Sequence, residues 1–298
     1  MKILVNDGMS AEGMQMMRDA GHEVCETKVP QAELPTKLGE YDAIVIRSAT
    51  KVRVVDIDGA LPRLKAIVRG GVGIDNIDFD YARSKGVKVL NTPAASSPSV
   101  AELAIAHMFA LSRFIVQANL TLRKGEWNKK AYKGVELAGK TLGILGIGRI
   151  GQSLASKALA LGMKVVAFDP FVESVDLDVT MMSKEDVLAQ ADYLSLHMPA
   201  QKEGFVMGAP EFALMKDASY LINCARGGVV DESAMLDALD SGKLAGAGVD
   251  VYIGEPNPDE RVLNHPKVSA TPHIGASTSE AQARIGQSVA DQLIELFK

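Results

Sequence analysis

At 298 residues the chain is too long for one small core and suits two domains, or one with a large insertion. Charged residues at 23% and apolar residues at 47% are an ordinary soluble composition, and a net charge of −5 argues against nucleic acid or a membrane surface as the main partner. Cys25 and Cys224 lie far apart without metal-ligand spacing, so the expectation is a reduced, cytoplasmic protein that holds no metal.

The apolar run at Met1–Asp7 is too short for a signal peptide and reads as a first strand, Ile3 to Val5. Ser10 caps a helix that ends at Gly21. Ala43–Ile46 and Leu64–Val68 are strands of the fully buried type, Ile77–Lys85 is a helix closed by Gly86, and Val87–Leu90 is another strand. Proline and small polar residues in Asn91–Pro98 mark a crossing segment. A long helical stretch follows from Ser99 to about Lys124, with a kink near Arg113. It includes an apolar run, Leu103–Leu111, that contains His107 and is too short to span a bilayer. Trp127–Gly134 is a polar loop whose Lys129, Lys130 and Lys133 read as a solvated surface. The second unit starts at Thr141, and its later strands are Lys164–Phe168, Tyr193–Leu196, Tyr220–Asn223, Gly246–Val249 and Lys267–Ala270. The last helix, Ser279–Phe297, is expected to pack back on the first unit.

This alternation predicts an α/β fold of two doubly wound parallel-sheet domains. A Rossmann cofactor domain, residues 95–275, is inserted into a flavodoxin-like substrate domain made of residues 1–94 and 276–298.

The segment Thr141–Gly151 is the most informative. An apolar strand runs into Gly146-x-Gly148-x-x-Gly151, a helical pattern follows to Leu161, Gly162 closes it, and the next strand ends in Asp169. A dinucleotide site requires this order. Gly146 permits the tight turn, Gly148 lets the backbone approach a pyrophosphate, and Gly151 lets the helix pack on the strand. Asp169 is placed to accept the hydroxyls of an adenosine ribose.

Ligands in open α/β sheets sit beyond the C-terminal ends of the strands. Three segments of the second unit fall at such ends: Asn223–Gly228, Asp250–Pro256 and Thr271–Ala276. Arg226, Glu255 and His273 therefore converge in this reading. Histidine, with an unperturbed pKa of about 6.5, suits the base that removes a hydroxyl proton while hydride leaves carbon. Glu255 at its other nitrogen orients the ring and favours its protonated form, and Arg226 holds a carboxylate or developing oxyanion.

These residues carry a resemblance. Asn223–Glu232, Asp250–Pro256 and Pro272–Thr278 are similar, nearly letter for letter, to segments of the D-isomer-specific 2-hydroxyacid dehydrogenase family. So are Val45–Val52, Arg69–Asn76 and Asn91–Pro93, and the likeness runs from the first strand to the last helix. Within the family it is greatest to the D-3-phosphoglycerate dehydrogenase branch. The family's catalytic arginine, glutamate and histidine fall on Arg226, Glu255 and His273, 29 and 18 residues apart.

The resemblance implies NAD as cofactor. Its contacts would come from Val72, Arg149, Ile150, Asp169, His197, Met198, Pro199, Cys224, Ala225, Arg226, Asp250, His273, Gly275 and Ala276, besides Gly146, Gly148 and Gly151. The substrate carboxylate would meet the backbone N–H groups of Gly70, Gly71, Val72 and Gly73 together with Arg226. Arg47 and Arg69, at strand ends, would serve a substrate phosphate. Val72 and Met198 stand where the family often has threonine.

The expected reaction is NAD-dependent oxidation of D-3-phosphoglycerate to 3-phosphohydroxypyruvate, the entry step to serine. A glyoxylate or hydroxypyruvate reductase is the alternative, and a nucleotide-sensing corepressor-like protein a distant one. Formate dehydrogenases carry glutamine where Glu255 stands. The apolar residues of Ala101–Leu122 exceed what one domain surface needs and imply a homodimer through the cofactor domain. The end of the chain at Lys298 leads to the expectation of a short form without a C-terminal regulatory domain.

Overall fold

The computed structural model describes residues 1–201 and 203–298. They fall into two compact units, Met1–Ser96 with Ala276–Lys298, and Ser97–Gly275.

The first unit opens with β1 (Lys2–Val5), α1 (Ala11–Asp19), β2 (Glu23–Cys25), α2 (Leu34–Lys37) and β3 (Ala43–Ile46). It continues with α3 (Val54–Ala60), β4 (Ala66–Arg69), α4 (Phe79–Ser84) and β5 (Lys88–Asn91). Every residue of β3 is buried, as the unbroken apolar run Ala-Ile-Val-Ile requires of a central parallel strand. Ser10 caps α1 through its side chain, which accepts from the Gly13 N–H. All pairings are parallel, in the order β2-β1-β3-β4-β5. That is the flavodoxin-like order, with its reversal between β1 and β3. Leu4, Ile44, Ile46 and Ile67 fill one face of the sheet; Ile3, Val5, Val45 and Val68 fill the other.

The second unit opens with α5 (Ser97–Ser112), α6 (Ile115–Arg123), β6 (Thr141–Leu145), α7 (Arg149–Ala160) and β7 (Lys164–Phe168). Next come β8 (Val179–Met181), α8 (Lys184–Gln190), β9 (Tyr193–Leu196), α9 (Ala209–Leu214), β10 (Ser219–Asn223), α10 (Glu232–Asp240), β11 (Leu244–Val249), α11 (Glu260–Leu263) and β12 (Val268–Ala270). Its seven strands, all parallel, are ordered β12-β11-β10-β9-β6-β7-β8. This is a Rossmann sheet that reverses at β6, between β9 and β7.

Helix α12 (Ser279–Leu296) returns to the first unit and buries Ile285, Val289 and Leu293 in the cluster formed by Ile3, Val45 and Met17. Its amphipathic pattern and its Thr278 cap, accepting from the Ala281 N–H, set its length.

The elements differ from the sequence expectation mainly at their ends. The kink near Arg113 is a break: Phe114 takes a left-handed φ of 54°, and α5 and α6 meet at 60°. The helix after the glycine segment begins at Arg149 rather than Gln152, so Arg149 and Ile150 occupy its first turn. The strand expected over Leu64–Val68 starts two residues later and ends one residue later, as Ala66–Arg69. Two of the three-residue edge strands, β2 and β8, were not foreseen, whereas the third, β12, was. Among the described residues no single helix is long and apolar enough to cross a membrane.

Candidate active site

The glycine loop sits at the switch point of the second sheet. The Gly146 N–H donates to Phe168 O at 2.8 Å and the His197 N–H to Leu145 O at 2.8 Å, so the end of β6 is pinned between β7 and β9. Gly146 has a φ of +93°, and a Cβ there would lie 2.6 Å from His197 O; a Cβ on Gly151 would lie 2.3 Å from Gly146 O. Only glycine fits either position. Gly148, the N-cap of α7, is exposed, with open space where its Cβ would be and no side-chain cap on the helix. The first-turn N–H groups of Arg149 and Ile150 are thus presented at the positive end of a twelve-residue helix dipole, as an anionic pyrophosphate requires.

Asp169 follows β7 and also holds the loop: Oδ2 accepts from the Ile147 N–H at 3.0 Å and Oδ1 from the Phe171 N–H at 2.9 Å. Each oxygen retains a lone pair for a ribose hydroxyl. After β9, His197 Nε2 meets Ser195 Oγ at 2.9 Å, while its buried Nδ1 has no partner among the described residues. Burial pushes this imidazole down to about 4, so the ring is neutral near pH 7. Met198 is half-buried and Pro199 exposed. Among the described residues no cluster of His, Cys, Asp and Glu has a metal-site arrangement.

Three strand-end loops of the same unit bring Arg226, Glu255 and His273 together. After β10, Asn223 folds its own loop: Nδ2 donates to Arg226 O at 3.0 Å, and Oδ1 accepts from the Ala225 N–H at 3.1 Å. The half-buried Arg226 donates from Nη1 to Ala225 O at 2.6 Å, and its charge reaches Glu255. Cys224 is buried among apolar residues, which pushes its thiol far up and keeps it uncharged.

After β11, Glu255 Oε1 accepts from the Tyr252 N–H at 2.8 Å, and Oε2 lies 2.8 Å from His273 Nδ1. Burial pushes the Glu255 carboxyl up. Hydrogen bonds from His273 and Tyr252, with the His273 and Arg226 charges, outweigh that and hold it below its ordinary value. An ionised carboxylate only accepts, so the Nδ1 of His273 carries the proton and Nε2 keeps a lone pair. His273 has a left-handed φ of 53°, which costs a non-glycine residue roughly 1–2 kcal/mol. Asp250 secures the turn: it is 1% exposed, accepting at Oδ1 from the Ile274 N–H (2.8 Å) and at Oδ2 from the Gly275 N–H (2.9 Å). A cavity of about 430 Å³ lies beside the pair, lined by Tyr252, Glu255, Pro256, Thr271 and His273 among others.

Sequence reasoning missed the groups that support these three. Glu232, the first residue of α10, accepts from the Ile253 N–H at 2.8 Å, so consecutive amides at 252 and 253 are each held by a carboxylate. Burial, then the negative charges of Asp259, Asp231 and Glu255, raise Glu232 against the pull of that bond. Its place just after the helix cap Asp231 was the available signal.

The remaining expected residues lie in the first unit. Arg47 and Arg69 stand at the ends of β3 and β4. Asp7 Oδ2 accepts from the N–H groups of Arg47 (2.8 Å) and Thr50 (2.9 Å), and Asn76 Nδ2 donates to Arg47 O and Thr50 O, both at 2.7 Å. Asp7 and Asn76 were not foreseen, although Asp7 follows a strand end as Asp169 does. Arg69 Nη1 donates to Gly70 O at 2.7 Å and lies over Gly71. The expected cradle of four N–H groups is smaller in the structure. Gly70 donates to Ile46 O and Gly71 to Arg69 O, which leaves Val72 and Gly73 as the N–H groups without a protein acceptor among the described residues. Val72 O and Ala276 O accept from Asn91 Nδ2 and Gln282 Nε2, so the backbone of both residues is also held by side chains.

Comparison with known proteins agrees with this geometry. Residues 105–275 match the family model described as D-isomer specific 2-hydroxyacid dehydrogenase, NAD binding domain. A hydroxypyruvate reductase of Thermotoga maritima is 44% identical over 99% of this chain and 97% of its own length.

The chain belongs to the D-isomer specific 2-hydroxyacid dehydrogenase family.

Its second unit carries the family's NAD-binding domain, so NAD is the cofactor the glycine loop and Asp169 fit. A D-3-phosphoglycerate dehydrogenase of Bacillus subtilis is 42% identical over all of this chain, which spans 57% of that protein's length. An NAD-dependent formate dehydrogenase of Staphylococcus aureus, solved with NAD, superposes with a TM-score of 0.88 at 28% identity, covering 100% of this chain and 96% of its own.

Proposed function

We propose that this dehydrogenase oxidises D-3-phosphoglycerate to 3-phosphohydroxypyruvate, with His273 as general base, Glu255 as its partner and Arg226 on the substrate carboxylate. The 2.8 Å contact between His273 Nδ1 and Glu255 Oε2 carries the mechanistic part. It fixes the tautomer whose Nε2 accepts the hydroxyl proton as the carbonyl forms. The resulting imidazolium sits against a carboxylate held in its charged form, and the Arg226 guanidinium neutralises the substrate carboxylate. NAD, when bound, supplies the hydride acceptor. The N–H groups of Val72 and Gly73 serve the same carboxylate, and Arg47 and Arg69 the phosphate. In this reading the first unit is the substrate domain and the second the cofactor domain.

A second reading, reduction of hydroxypyruvate, is favoured by the Thermotoga maritima relative, which matches this chain over nearly its whole length. Turnover with phosphorylated and unphosphorylated substrates, each with NAD and NADP, decides between them. A kcat/KM for 3-phosphoglycerate no higher than for D-glycerate would reject the first reading.

We further propose a homodimer. Phe109, Ile115, Val116, Leu120 and Leu122 on α5 and α6 are exposed, and a groove of about 540 Å³ is lined by Phe109, Arg113, Ile115, Ala118, Asn119 and Leu122. A second copy would cover this surface. Light scattering at micromolar concentration should give twice the chain mass of 31.7 kDa, and a monomer mass would remove the proposal.

A further inference from the structure

Helix α5 buries three serines near its ends, Ser97, Ser99 and Ser112, and between them one ionisable side chain, His107. That residue is 3% exposed, and nothing in the mechanism above uses it. Its ring bridges two hydroxyls: Nδ1 lies 2.9 Å from Ser269 Oγ on β12, and Nε2 lies 3.1 Å from Thr271 Oγ1 at the end of the same strand. Thr271 Oγ1 in turn donates to Asp250 Oδ1 at 2.7 Å. Having given its one proton to Asp250, the threonine oxygen can only accept from the imidazole. Nε2 therefore carries a hydrogen, and Nδ1 accepts from Ser269. One tautomer satisfies every member of the chain.

The sheet is shaped to admit this ring. A Cβ on Gly248 of β11 would lie 2.6 Å from the Cβ of His107, so the strand can pass the helix there only as glycine. Burial pushes the imidazole below its ordinary value, with the Asp250 charge acting the other way. The neutral ring, one donor and one acceptor, is the form the chain needs.

The chain ends on the turn that carries the base. The carboxylate that receives the Thr271 proton also accepts the N–H groups of Ile274 and Gly275, the two residues after His273. The His273 N–H donates to Thr271 O at 3.1 Å. A left-handed non-glycine residue persists only where its surroundings over-determine it. Here Asp250 fixes the residues after His273, and Thr271 fixes the backbone before it. We propose that His107 is a positioning residue for the reaction: through Thr271 and Asp250 it holds the turn that presents His273 to substrate.

This inference rests on His273 being the base. Its test uses the full chain with His107→Leu, His107→Gln and Thr271→Val. His107→Leu removes the relay but keeps an apolar side chain of similar bulk; His107→Gln keeps an N–H directed at Thr271. His107→Leu should lower kcat about tenfold while NAD affinity by calorimetry and the substrate KM stay within about twofold, as expected for an interaction that acts on the reacting group alone. His107→Gln should recover most of the loss. Thr271→Val should reproduce it, and the double variant His107→Leu/Thr271→Val should lose no more than either single one. In the protein without NAD, the His273 imidazole nitrogen shifts should move in His107→Leu and return in His107→Gln. A folded His107→Leu variant with the parent kcat and unchanged His273 shifts overturns the proposal. So does a fall in kcat matched by equal loss of NAD affinity and not recovered by glutamine, which marks simple packing. Should His107→Leu not fold, Thr271→Val carries the same outcomes. Normal turnover in His273→Ala would instead remove the base assignment itself, whereas an inactive His273→Ala beside a normal His107→Leu removes only the positioning role.

Discussion

The two units use the ends of their strands differently. In the second, the polar side chains hold one another: Glu255 meets His273 at 2.8 Å and Thr271 donates to Asp250 at 2.7 Å. In the first, the ties fix the loop and not the candidate functional side chain, although Asp7 also accepts from the Thr50 hydroxyl at 2.7 Å. Asp7 and Asn76 fix the loop of Arg47 by its main chain, and the Arg47 guanidinium has no hydrogen-bond partner among the described residues. On the proposed function, the reacting groups are the ones tied to other side chains, and substrate choice would fall to long side chains on a fixed loop, which can be exchanged without disturbing them.

The strongest way to break this contrast is His273→Ala. Turnover should fall about 10²–10⁴-fold with NAD binding nearly unchanged, as steady-state rates and calorimetry would report. Near-normal turnover would mean that the tightly tied group is not the base. Arg47→Ala or Arg69→Ala should act selectively. A charged hydrogen bond of about 1.5–3 kcal/mol predicts a loss of roughly 10–100-fold in kcat/KM for a phosphorylated substrate, with little change for its unphosphorylated analogue. An equal loss for both substrates would assign the arginines to the fold.

Asp169 tests the nucleotide end. Its carboxylate repels a 2′-phosphate, and Pro170–Glu173 offers no cation to accept one, so NAD should be preferred over NADP. Asp169→Ala should narrow that ratio by about tenfold, one charge interaction's worth. Equal efficiency with both cofactors in the parent chain would contradict the assignment.

Glu255→Gln sharpens the comparison through pH. The Glu255 carboxyl is held below its ordinary value, so the stability it contributes is present above the unfolded value of about 4.3 and is lost as pH falls through the folded value. The parent should therefore lose stability relative to Glu255→Gln in denaturant titrations as pH drops through that range. An equal pH dependence of stability in the parent and the variant would separate Glu255 from the His273 contact.

Much of the architecture was legible because burial and turn chemistry write themselves locally. Strands such as Ala43–Ile46 and Lys164–Phe168 are unbroken or nearly unbroken apolar runs, and Ser10 marks its helix start by its hydroxyl. The residues expected to form the Arg226, Glu255 and His273 constellation do meet in one unit, since parallel strands deliver their C-terminal loops to the same edge. Two short edges carried no such signal: β2 and β8 gain their form from the neighbour they pair with. The long helix was expected to kink near Arg113 and does turn there, but nothing in Arg113–Phe114–Ile115 demands the left-handed residue that makes the kink a full break.

The sequence by itself determined the glycine turn, the acid after β7, the alternation of strands and helices, and the residue types needed for hydride chemistry. These depend on backbone sterics and on spacing within one segment. Only the tertiary structure decided which nitrogen of His273 faces Glu255, that Gly70 and Gly71 give their N–H groups to Ile46 and Arg69, and that His107 reaches Thr271 from 164 residues away. Hydrogen-bond direction depends on which acceptor a donor finds once distant segments pack, and no local pattern encodes that choice.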